Sequence, residues 1–208
     1  MKTPDFFNDV PPITMRDPLA QVLGAVEEGL LTYSYADAVK LAGHSCPTVA
    51  GAYLMVKKGL QALYADETPV RGEIKVYMRG KLAEGTVGVI ANVASMITGA
   101  TETGGFHGLA GKFDRRQLLS YGADIKGEMA LERTDTHRRV VITYDPSFVP
   151  AEERFGELLP LIVSSRADSE ARELFGRLWQ ERVKRIVIDH RDDPRLVQYT
   201  FENIGENE

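Results

Sequence analysis

The chain has 208 residues, 43% of them hydrophobic, which is enough for one sizeable core. Its net charge of −5 argues against a general nucleic-acid binder, and no apolar run reaches membrane-spanning length, residues 87–97 being the nearest. A single cysteine rules out an internal disulfide and suits the cytosol.

Residues 1–16 read as an irregular arm, and Asp5, Asn8 and Asp9 stand where a signal peptide would have its apolar core, so no export signal is expected. Asp17-Pro18 opens an expected helix to about Glu28, with Leu19, Val22, Leu23 and Val26 on one face and Gly29 as its stop. A short strand at 32–34 and a short helix at 35–41, ending at Gly43, come next. The amphipathic run that follows Cys46-Pro47 reads as a helix to about Asp66. It buries Val49, Ala50, Leu54, Leu60 and Leu63, with Gly51 and Ala52 allowing close approach of another backbone. Residues 73–79 alternate as a half-buried strand through Ile74, Val76 and Met78, and 87–97 suit a buried helix. Strands are expected at 118–121, 126–133 and 138–144, the last two as a hairpin, and Asp145-Pro146 marks a boundary. Helices at 151–165 and 168–189 and a strand at 196–201 complete the chain. The second helix carries the stripe Ala171, Leu174, Phe175, Leu178, Trp179, Val183 and Ile186, read as packing. The whole is α+β, with a domain at 1–148 and a helical C-terminal appendage at 149–208.

Two segments carry chemistry. Pro47 fits the first helical position, so Cys46 falls at or beside the N-cap, where unpaired amides and the helix dipole favour a thiolate. His44 lies two residues before it, and in extended chain both side chains leave on one side. Imidazole and thiolate suit zinc or a related ion, which needs one or two further ligands or water. A buried structural cysteine beside a packed histidine is the plain alternative. The second segment, 98–112, holds five glycines, Glu102, His107 and Lys112. It fails the phosphate-loop pattern at Phe106 and Phe113, and a surface loop is the competing reading. His107 is the candidate third ligand, with Glu102 behind it. His137 belongs to the hairpin turn and His190 to a charged connector. Arg115-Arg116 and Arg138-Arg139 read as solvated faces before anion grips.

On these residues the chain resembles the FmdE family, named for one of the subunits of formylmethanofuran dehydrogenase. The family motif H-G-H-x-C-P-G before a helix stands here as Ala42-Gly43-His44-Ser45-Cys46-Pro47-Thr48. A later T-G-C-T followed by G-K stands as Thr98-Gly99-Ala100-Thr101, with Gly111-Lys112 after an apparent insertion holding His107. The similarity covers about residues 17–145. Ala42 and Ala100 replace two possible donors, Thr48 replaces the closing glycine, and no cysteine follows Cys46 to form the family's zinc ribbon.

The resemblance implies an FmdE/glyceraldehyde-phosphate-dehydrogenase-domain-like mixed sheet packed by helices, in a homodimer that binds a metal, often zinc; the single cysteine adds the expectation of a cytoplasmic protein. It does not imply dehydrogenase activity. The expected metal ligands are His44, Cys46 and His107. Thr98, Gly99 and Lys112 would contact a small molecule or cofactor at an open coordination position. Two alternatives are a thiol enzyme using Cys46 as nucleophile with His44 or His107 as base, and a haem- or pterin-type cofactor module.

Overall fold

A computed structural model describes residues 3–202. The first two residues of the expected N-terminal arm and the last six of the C-terminal segment lie outside the described residues. The architecture is α+β. Strands β1 (Ile13–Arg16) and β2 (Leu30–Tyr33) pair antiparallel. Strands β3 (Ile74–Met78), β4 (Leu119–Tyr121), β5 (Met129–Arg133), β6 (Arg139–Tyr144) and β7 (Val197–Glu202) form a second sheet in the order β4-β3-β5-β6-β7. Only the β3–β4 pair is parallel. The helices are α1 (Pro18–Val22), α2 (Tyr35–Ala42), α3 (Pro47–Tyr64), α4 (Val87–Thr98), α5 (Glu153–Val163) and α6 (Ser169–Lys184). None of the described helices is long and apolar enough to cross a membrane.

The core is organised around α3. A helix buried on nearly every side needs small and apolar residues all round, and α3 supplies Val49, Ala50, Ala52, Leu54, Met55, Val56, Leu60 and Leu63. It lies against β5, β6 and β7 on one side and against α2 and α4 on the other. Alternation along β3 and β6 turns Ile74, Val76, Met78, Val140 and Ile142 into this core. Ala130 and Val141 face the other way, into a small second cluster with Ile125.

The glycines of α3 admit side chains of the sheet, where the sequence suggested a neighbouring backbone. A Cβ on Gly51 would stand 2.3 Å from a ring carbon of Tyr144, and one on Gly59 would stand 2.5 Å from Ile142. Gly51→Ala therefore displaces the Tyr144 ring. Overpacking costs about 1–3 kcal/mol, which outweighs the roughly 1 kcal/mol of helix propensity gained, and denaturant unfolding measures the net loss.

The first expected helix is much shorter than its apolar spacing suggests. Asp17 does cap it, accepting the amides of Leu19 at 2.9 Å and Ala20 at 3.2 Å. The β1–β2 pairing, however, sets Arg16 opposite Leu30, and the Asp17 amide donates to Gly29 O at 2.7 Å. The chain must return within a dozen residues, so α1 ends at Val22 and Gly24 turns with φ +66°. Val22 and Leu23 are left 61% and 62% exposed.

Beyond the boundary at Asp145, β7 pairs with β6 along its whole length, from Arg139 opposite Glu202 to Tyr144 opposite Val197. The C-terminal segment thus contributes an edge strand to the main sheet as well as two helices. The turn Arg185–Asp189 continues α6 and sets Ile186 and Val187 against α3.

Candidate functional site

Segment 44–46 links α2 to α3 and is fixed from several sides. Gly43 ends α2 in the left-handed region, φ +78°, which glycine adopts without a Cβ penalty, and its amide donates to Val39 O. Cys46 is the extended N-cap of α3, Pro47 follows it, and the Cys46 Sγ accepts the Val49 amide at 3.4 Å. The Ser45 carbonyl accepts Trp179 Nε1 at 2.8 Å and Gln180 Nε2 at 3.2 Å, so α6 holds the segment down. The Ser45 hydroxyl shares a 2.9 Å hydrogen bond with Tyr35 Oη, and Tyr144 Oη donates to Pro47 O at 2.8 Å. Burial pushes the Tyr35 and Tyr144 phenols far above their ordinary range, so both stay neutral.

His44 is exposed beside this anchored stretch. Its Nδ1 lies 3.0 Å from Ala42 O. A carbonyl only accepts, so Nδ1 carries the proton and Nε2 of the neutral ring keeps its lone pair. Two adjoining cavities meet at His44 and Trp179. One, of about 540 Å³, is lined by Cys46, Thr48, Tyr144, Pro146 and Arg182 as well. The other, of about 560 Å³, adds Ser45, Leu159, Phe175, Gly176 and Gln180. Both volumes fall in the range of small-molecule sites. Cys46 is only 8% exposed, yet it borders the first cavity.

The remaining expected site residues lie elsewhere. Thr98 is fully buried at the end of α4, its hydroxyl donating to Ala94 O at 2.7 Å and accepting the Ala100 amide at 3.2 Å. Gly99 caps that helix with φ +76°, its Cα turned towards Arg71 and Arg115. Lys112 is exposed at a tight turn in which Leu109 and Lys112 exchange amide hydrogen bonds across Ala110 and Gly111, both at positive φ. His107 is exposed in the same loop. None of these four lines the cavities at His44. No group of three or more His, Cys, Asp or Glu side chains placed to hold a metal occurs among the described residues. The donor types of His44 and Cys46 fit a zinc-type ion, and the count is one short of the three protein ligands of a catalytic zinc site.

No family model matches the chain, and no curated protein matches it.

His137 sits in the β5–β6 turn, 3.7 Å from Glu132, and His190 packs its ring edge-to-face on Phe148 at 5.3 Å. Both are remote in role from the His44 groove. Trp179, Arg182 and Tyr144 are among the groove residues that the sequence did not assign to a site. The signal for Trp179 lay in its indole N–H, which needs an acceptor when the ring packs, and the acceptor is the carbonyl next to His44. Arg182 carried no such signal, because its groove position depends on how α6 docks.

Proposed function

We propose that the chain is an FmdE-like metal-binding protein, a homodimer in which His44 Nε2 and Cys46 Sγ hold a zinc-type ion at the mouth of the Trp179 groove. The observation that carries this reading is the Nδ1–H of His44 donated to Ala42 O, which fixes ring orientation and tautomer with Nε2 outward. Histidines that ligate metals are generally held in this way. The capped sulfur at the start of α3 supplies a second, softer donor. Further positions on the ion are taken by solvent, a bound small molecule or a side chain of the second copy. Once bound, a zinc-type ion polarises a carbonyl or activates water. The chain's own residues seat and orient the ligand: Trp179 and Phe175 offer flat apolar surface, and Tyr144 and Arg182 close the other end.

A second reading has its own support. The amide donated to Cys46 Sγ would also prepare a nucleophile, with His44 Nε2 as the base. Cobalt titration separates the two. The metal reading predicts a near-ultraviolet thiolate-to-cobalt band that disappears in Cys46→Ser, together with protection of Cys46 from iodoacetamide in the loaded protein. Absence of the band, with rapid alkylation of loaded and stripped protein alike, favours the thiol enzyme. A visible absorbance in the protein as purified would instead indicate a haem- or pterin-type group.

A further inference from the structure

The two cavities that meet at His44 differ in chemistry, and the difference specifies what fits. On one side the rings of Phe155, Phe175 and Trp179 lie 4.8–5.8 Å apart with interplanar angles of 25–33°. They form a compact triangle of inclined rings, of which Phe175 and Trp179 line the cavity with Phe155 packed behind them, and Leu159, itself 41% exposed, extends the apolar wall. On the other side Arg182 donates Nε to Val149 O at 2.8 Å and Nη2 to Pro146 O at 3.0 Å. Those two bonds fix the guanidinium plane and use two of its five N–H groups. Among the described residues no Asp or Glu lines either cavity, although the chain as a whole carries a net charge of −5. A fixed positive charge without a carboxylate partner among the described residues, next to an aromatic shelf, favours a ligand that brings both complements.

We infer that the groove takes a small planar carboxylate, its aromatic or conjugated body on Trp179 and Phe175 and its carboxylate on the free edge of Arg182. A planar carboxylate matches a guanidinium edge with two parallel hydrogen bonds. His44 lines both halves and so stands at the junction of ring and anion. The inference rests on reading the His44 groove as the functional site, and it holds with or without a bound ion.

Trp179 is the single tryptophan of the chain, so its emission reports directly on the groove. The test titrates the full chain with 2-naphthoate, 2-naphthamide and cyclohexanecarboxylate, read by calorimetry and by absorbance-corrected fluorescence. Protein as purified and chelator-treated protein are both used, with metal content measured on the same samples. 2-Naphthoate is expected to bind about tenfold or more tightly than the neutral amide, and more tightly than the saturated acid. Arg182→Gln should bring the acid down to the amide. Because Arg182 also holds two carbonyls, the acid–amide comparison on unaltered protein carries the test if that variant fails to fold. Equal binding of acid and amide, or no binding of 2-naphthoate at millimolar concentration, overturns the assignment. A preference for the acid in protein that takes up no zinc when zinc is supplied leaves the assignment standing and ends the metal reading. Equal binding in protein that holds its metal does the reverse.

Discussion

Asp17→Ala is expected to destabilise the protein by about 3–5 kcal/mol, the cost of removing one partner from a buried ion pair. Asp17 is 3% exposed and receives Arg71 Nη1 at 2.9 Å and Arg115 Nη2 at 2.7 Å. The Arg115 side chain is itself only 6% exposed, so without Asp17 its charge is stranded. The guanidinium sits where only glycine fits, since a Cβ on Gly72 would meet Arg115 Nη1 at 1.5 Å. Through Arg71 Nη2, which donates to Met96 O at 3.1 Å, the same cluster reaches the last turn of α4. One carboxylate therefore ties the β1–α1 corner, the approach to β3 and the end of α4 together. The α1 cap is lost in the same substitution.

The pH dependence has a defined sign. Burial alone would raise the Asp17 pKa. The Arg71 hydrogen bond, the Ala20 amide and the charges of Arg115 and Arg71 outweigh it and hold the pKa below the ordinary 3.8. A carboxylate with a depressed folded pKa contributes stability above its unfolded pKa and loses it as pH falls through the folded value. The gap between wild type and Asp17→Ala should thus be constant near neutrality and narrow below pH 3.8. Urea unfolding over a pH series measures both. A loss under about 1 kcal/mol, the size of a surface pair, or a gap that widens in acid, would contradict this account.

The sequence was most informative where a local signal sufficed. Pro47 after Cys46 predicts the helix start observed, and the alternation Ile74, Val76, Met78 predicts β3. The hairpin of β5 and β6 and the buried helix at 87–98 were legible in the same way. Long-range constraints were not. The apolar spacing of Leu19, Val22, Leu23 and Val26 suits a helix in isolation, and only the pairing of Arg16 with Leu30 shows why it stops after five residues. Arg115 and Arg116 look alike in sequence, yet Arg115 is buried on Asp17 while Arg116 pairs with Asp114 at the surface. That distinction rests on contact between residues 98 positions apart. Similarly, the glycines of segment 98–112 mark real turns, at Gly99 and Gly111, and glycine content alone does not tell a turn from a ligand cradle.

At the site, sequence alone identified His44 and Cys46 as chemically capable and placed the sulfur on a helix terminus. Sequence distance gave no way to see that Trp179 and Gln180 clamp the carbonyl between them, 134 and 135 residues further on. The loop of His107 is built by its own pairing, with the Arg115 amide donating to Phe106 O and the Gln117 amide to Glu102 O. Those bonds return the chain to β4, and the loop leaves His107 in solvent.

Metal content of the protein purified without added metal, set beside His44→Ala and Cys46→Ser, decides whether these two side chains hold an ion. Exposed His44 leaves the fold unchanged when truncated, and serine can still cap α3, so both variants should fold with midpoints close to wild type. About one zinc-type ion per chain is expected in the wild type, with most of it lost in either variant, since removing one ligand of a small site lowers affinity by far more than the 10–100-fold typical of outer-shell changes. Equal metal content in all three proteins, or none in the wild type after zinc is supplied, would contradict it.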